Sequence, residues 1–142
     1  MTAATKDIKT PRQEGYTARY PVKAATKIYT DTMVCLDATG YAIPAADVAG
    51  LKFVGVAQFG IDNSLGADGA EYVQVRKTGE YDFESSGAAL AVTDIGENLY
   101  VADDKTVTLA SVNSILAGKL SEITATKLDA RTNILPATGA VS

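Results

Sequence analysis

Histidine and tryptophan are absent from this chain of 142 residues, cysteine occurs once and proline four times. Without histidine there is no Ser-His-Asp or Cys-His nucleophile system, no histidine-ligated metal, and no side chain whose ordinary pKa lies near neutrality. A single cysteine, Cys35, leaves no intrachain disulfide, so packing has to hold the fold. Set in the apolar run MVCL, Cys35 reads as a small core residue rather than a nucleophile. Also missing is an apolar run long enough to cross a membrane, and the opening residues, MTAATKDIKTPRQEG, have no signal-peptide apolar segment. The expectation is a soluble product of the cytoplasm with no membrane partner.

What is present is alanine and charge of uneven placement. The apolar fraction of 46% includes 23 alanines, each burying little area, so large core residues are few and a barrel-like body or help from neighbouring subunits is favoured. A mass of 14.8 kDa fits one domain. Residues 1–27 hold six basic residues (Lys6, Lys9, Arg12, Arg19, Lys23, Lys27) against Asp7 and Glu14, net +4, whereas the remainder holds seven basic against fifteen acidic, net -8. The basic residues are spaced apart rather than clustered as in a nucleic-acid site, and attraction to an acidic protein surface, a neighbouring body or a different protein, explains the asymmetry as well.

Residues 1–21 have no sustained apolar period and contain Pro11, Gly15 and Pro21, which reads as an extended N-terminal arm whose Ile8, Tyr16 and Tyr20 are its apolar anchors. The body, residues 22–135, is expected to be all-β, a small compact barrel or sandwich with at most short helical turns, followed by a tail at 136–142. In KIYTDTMVCL one strand places Ile28, Thr30, Thr32, Val34 and Leu36 on one face and Tyr29, Met33 and Cys35 on the other, with both faces covered. LKFVGVA places Leu51, Phe53, Gly55 and Ala57 together opposite Val54 and Val56, with Gly55 marking a close approach of another backbone. A loop at 61–69 leads into YVQVRK, then Tyr81 and Phe83 face together, Gly96 closes a short helical turn, 103–105 form a hairpin tip, and Gly118 marks a bulge or bend.

Few constellations carry chemistry. Asp62, Asn63, Ser64, Asp68 and Glu71 crowd one loop, but Gly66 occupies a place where a calcium loop needs an oxygen ligand, so a turn with side chains bonded to their own backbone, or a subunit contact through Asp62, Asn63, Ser64 and Asp68, is the reading. Lys105 on a hairpin tip has the placement of the modified lysine of a carrier domain, with Thr106 departing from that pattern. The glycines at 50, 55, 60, 66 and 69 lack the spacing and following helix of a phosphate loop. No active site, metal or cofactor is expected.

Taken in order, KAATKIY, MVCLDATGYAIPAAD, GLKFVGVA, the DNS and GADG loop with YVQVRK, DIGENLYVADDKTV and NSILAGKL resemble the capsid cement, or decoration, proteins of tailed bacteriophages over residues 22–123. The resemblance implies a non-enzymatic β-rich virion protein on the outer surface of the capsid. There it binds the major capsid protein, sits as a homotrimer at local three-fold positions, and holds neighbouring capsomers together. The arm lies outside the span of the resemblance; on physical grounds its expected contacts are Ile8, Pro11, Arg12, Tyr16, Arg19 and Tyr20, pairing with a sheet edge of the capsid protein or of a neighbouring subunit. A fibre or tail-associated β-module of a virion, and a carrier domain modified at Lys105, are the alternatives.

Overall fold

Short runs of β-branched and aromatic residues, each ended by Gly, Asp, Asn or Pro, become strands in the computed structural model, which describes residues 2–10, 15–86, 90–123 and 129–138. The strands are β1 (Thr17–Pro21), β2 (Thr26–Ile28), β3 (Met33–Leu36), β4 (Ala42–Pro44), β5 (Lys52–Ala57), β6 (Ile61–Asn63), β7 (Tyr72–Arg76), β8 (Glu80–Ser85), β9 (Asn98–Val101), β10 (Thr106–Thr108), β11 (Leu116–Ile123) and β12 (Asp129–Ile134). The one helical element among the described residues is a 3₁₀ turn at Val92–Asp94, closed by Gly96 in the left-handed region as expected. The protein is all-β.

The strands form a five-stranded sheet in the order β1-β7-β5-β3-β4, a closed barrel in the order β10-β8-β12-β11-β9, and a two-stranded β2-β6 pair. All pairings of named strands are antiparallel except β8 with β10, which closes the barrel. The five-stranded sheet nearly closes as well, since Val22, just past β1, bridges to Ala42 of β4. Both of its edge strands end in a proline, Pro21 and Pro44, which lack the amide that would recruit another strand.

Strands β3 and β5 face two cores. Met33, Cys35, Phe53 and Val56 share one core with Phe83, Leu99, Val101, Val107, Ala117, Leu120, Ala130 and Ile134 of the barrel strands. Val34, Val54 and Ala57 lie on the opposite side with Val22, Ile28, Ala42, Val73 and Val75. Covering of both faces of the MVCL segment is therefore observed, and Cys35 is a fully buried core residue.

Two sequence expectations are corrected. The single strand over 28–36 is broken, because Asp31 takes a positive φ of 63° between β2 and β3; Ile28 still reaches the same core as Val34, while Tyr29 is exposed. In β5 the strict alternation fails at Gly55, which adopts φ 144° where the β3–β5 register shifts, so Val56 rather than Ala57 shares a core with Phe53. The close approach expected at Gly55 is present: a β-carbon there would collide with the carbonyl of Arg76. Gly118 likewise sits at a register shift in β11, against the backbone of Asn133. Tyr81 and Phe83 stack with ring centroids 6.0 Å apart.

Candidate functional site: the N-terminal arm and its root

The arm is shorter than residues 1–21. Its last five residues are β1, paired along their length with β7 from Thr17↔Arg76 to Pro21↔Tyr72. Alternation of Ala18, Tyr20 and Val22 explains the strand: these side chains pack towards the core containing Val73 and Val75, while Thr17 and Arg19 point away. The Lys77 amide donates to the Tyr16 carbonyl and the Val22 amide to the Glu71 carbonyl, so 18/75 and 20/73 are the hydrogen-bonded pairs and the amides of Thr17 and Arg19 face the open edge.

Before β1 the chain leaves the body. Residues 2–10 are exposed throughout, with Ile8 at 71% exposure, and Tyr16 is held by its backbone while its ring remains largely in solvent. Pro11 and Arg12 lie outside the described residues. Tyr20 is half-buried in the sheet, and the Arg19 guanidinium lies over the Tyr72 ring at 5.2 Å, so these two expected contact residues are engaged within the chain. The charge asymmetry changes accordingly. Arg19, Lys23 and Lys27 belong to the body, where Lys23 pairs with Asp37 at 3.0 Å and Lys27 lies over Tyr29 at 5.1 Å. Residues 1–16 keep three basic residues (Lys6, Lys9, Arg12) against two acidic (Asp7, Glu14), net +1.

The root of the arm, residues 22–26, is gripped by the polar loop that the sequence singles out. Asn63 ends β6, opposite Thr26 of β2, and is almost fully buried. Its Nδ2 lies 3.2 Å from the Val22 carbonyl oxygen, 3.0 Å from that of Lys23 and 3.0 Å from that of Ala67; three carbonyls around one atom identify it as the amide nitrogen, whose two hydrogens they share. Asp68 accepts the Ala24 amide at 2.8 Å, the Gly69 amide donates to the Val22 carbonyl at 2.9 Å, and the Ala25 amide, on a residue at φ 57°, donates to the Gly66 carbonyl. Asp62 accepts the Ser64 amide and closes a local turn; the Ser64 hydroxyl, then that amide and the charge of Lys27, hold its carboxyl below the usual range. The loop is thus a turn bonded to its own backbone, as expected, and also a clasp on a segment about forty residues earlier. The fully exposed Leu65 is its outermost apolar side chain.

The structure brings Asn63 and Asp68 together with the arm root, and leaves Ile8 far out on the arm. Sequence reasoning missed the clasp because its partners are backbone groups distant in sequence; the alternation of Ala18, Tyr20 and Val22 was the available signal for β1. Lys105 occupies its expected hairpin tip, but the Asp104 carbonyl accepts the Met33 amide, which ties the tip to β3, and Lys105 faces Glu84 at 3.7 Å. Among the described residues no group of three or more His, Cys, Asp or Glu side chains gathers as metal ligands. No family model, curated protein or solved structure matches this chain.

Proposed function

We propose that this chain is a structural virion protein of a tailed bacteriophage, a cement protein that binds the major capsid protein on the outer face of the head, as a homotrimer at local three-fold positions, and holds neighbouring capsomers together. The observation that carries the reading is the contrast between a two-core β-body and an arm, residues 2–10, that is exposed along its whole described length. An extended segment with free backbone groups and a lone exposed Ile8 gains stability by pairing with a sheet edge of another protein, where main-chain hydrogen bonds supply affinity and alternate side chains supply fit. Symmetric clustering on a shell raises the effective concentration of each such contact. The family resemblance over residues 22–123 supports the same reading from the sequence side. The tip of Lys105, tied to β3, lends nothing to the carrier alternative.

The test is truncation before β1. Deleting residues 1–16 keeps the cover over Val73 and Val75, so the body stays folded, and the expected result is loss of binding to shells stripped of this protein. Normal occupancy by a folded truncated protein overturns the arm's role.

A further inference from the structure

We infer that Asn63 is the pin that fixes the register of β1 on β7, and through it the point from which the arm leaves the body; this rests on the arm's role proposed above. Strand β1 lies at the edge of its sheet and pairs on one side only. Ala18 and Tyr20 are half-buried and the fully buried side chain of the apolar face, Val22, lies just past the strand's end, so packing along β1 itself is modest. A slip of one residue would turn Thr17 and Arg19 inward and is opposed by the pattern of the side chains. A slip of two residues keeps the apolar face and moves the origin of the arm by about 7 Å, at roughly 3.4 Å per residue. Something other than alternation must forbid it.

The C-terminal end of β1 supplies that restraint. The Val22 carbonyl accepts both the Gly69 amide and Asn63 Nδ2, the Lys23 carbonyl accepts Asn63 Nδ2, and the Lys23 amide donates to the Ala42 carbonyl. Asn63 is the one side chain that joins the root to the 62–69 loop from inside the protein, and its other acceptor, Ala67, holds that loop closed. The chemistry requires a buried double donor. An isosteric aspartate would turn lone pairs towards three carbonyl oxygens, and alanine would leave them without their donor. Asp68 adds a second, solvent-exposed bond to Ala24.

Asn63→Asp in the full chain tests the pin. Its expected effect is hydrogen exchange at least about tenfold faster at the Ala18, Tyr20 and Val22 amides, with β11 and β12 amides unchanged, and weaker occupancy of stripped shells. Crosslinking Thr17→Cys to Arg76→Cys, a non-hydrogen-bonded pair with adjacent side chains, is expected to restore both properties in the Asn63→Asp background. Unchanged β1 exchange overturns the inference, as does an equal acceleration throughout the barrel. Faster β1 exchange with undiminished occupancy overturns the positioning role. Should Asn63→Asp not fold, Asn63→Ser, which keeps a single donor, carries the same test with a severalfold acceleration confined to β1, and unchanged β1 exchange or equal acceleration throughout the molecule overturns the inference. The truncation before Thr17 separates the two ideas: shells that bind the truncated protein refute the cementing arm, while the exchange measurement still judges Asn63.

Discussion

The α-carbon of Gly55 lies so close to the carbonyl of Arg76 that no side chain fits between them. This contact allows β5 to change phase, so that Phe53 and Val56 reach one core and Val54 and Ala57 the other. Gly55→Ala is therefore expected to destabilise by about 2 kcal/mol or more, through the positive φ and the displaced carbonyl together. Gly50 also has a positive φ but open space around it, so Gly50→Ala should cost only about 1 kcal/mol. Urea unfolding of the two variants checks the ranking, and equal losses would show that backbone conformation alone sets the cost.

Cys35 is expected to be silent in the native protein. It is fully buried, and burial pushes its thiol up to about 12, so neither access nor thiolate is available at pH 8. A thiol reagent should label it fully in denaturant and hardly at all in native buffer. Rapid native labelling would mean that the sheet holding β3 opens far more readily than its packing implies.

Stability should fall in acid. Asp37 accepts the Thr39 hydroxyl at 2.6 Å, the Thr39 and Tyr41 amides, and Lys23, which together hold its carboxyl well below the usual range. Asp47 is lowered by the Asn113 and Val112 amides, and Asp82 by Arg131. A carboxylate depressed in the folded state stabilises above its unfolded pKa of about 3.9 and loses that contribution as the pH falls towards the folded value. The urea midpoint is thus expected to hold at neutral pH and to drop below about pH 4. Asp37→Asn should lower the neutral value and flatten the drop, and an unaltered profile would remove Asp37 from the account.

Shell binding should depend only weakly on salt. With Arg19, Lys23 and Lys27 assigned to the body, residues 1–16 retain a net charge of +1, too little for strong steering, and paired backbone groups are screened less than exposed charges. Affinity for stripped shells measured from about 50 mM to 500 mM salt, a range across which exposed charges become largely screened, should fall by no more than severalfold. A steep decline would place the interaction on charges rather than on strand pairing.

Much of the body was legible in sequence. The alternation of Val73 and Val75 with Tyr72, Gln74 and Arg76, the shared face of Tyr81 and Phe83, the hairpin tip at 103–105 and the glycines at 96 and 118 are local signals, and the structure has each of them. What was not legible depends on distant partners. The phase change at Gly55 is set by a carbonyl on β7, the break at Asp31 by pairing of its amide with Ala57, and the burial of Asn63 by carbonyls about forty residues earlier. A composition-based arm boundary failed for the same reason, since β1 becomes a strand only where β7 lies beside it.

The two cores separated by β3 and β5 have one more consequence. A cut in the turn at 77–79 would leave one fragment with Met33, Cys35, Phe53 and Val56 bare and the other with their core partners on the barrel strands uncovered. Neither piece would remain soluble for long by itself. Mixed during refolding, the two should find each other and reassemble without a peptide bond between them, as obligate companions rather than independent modules.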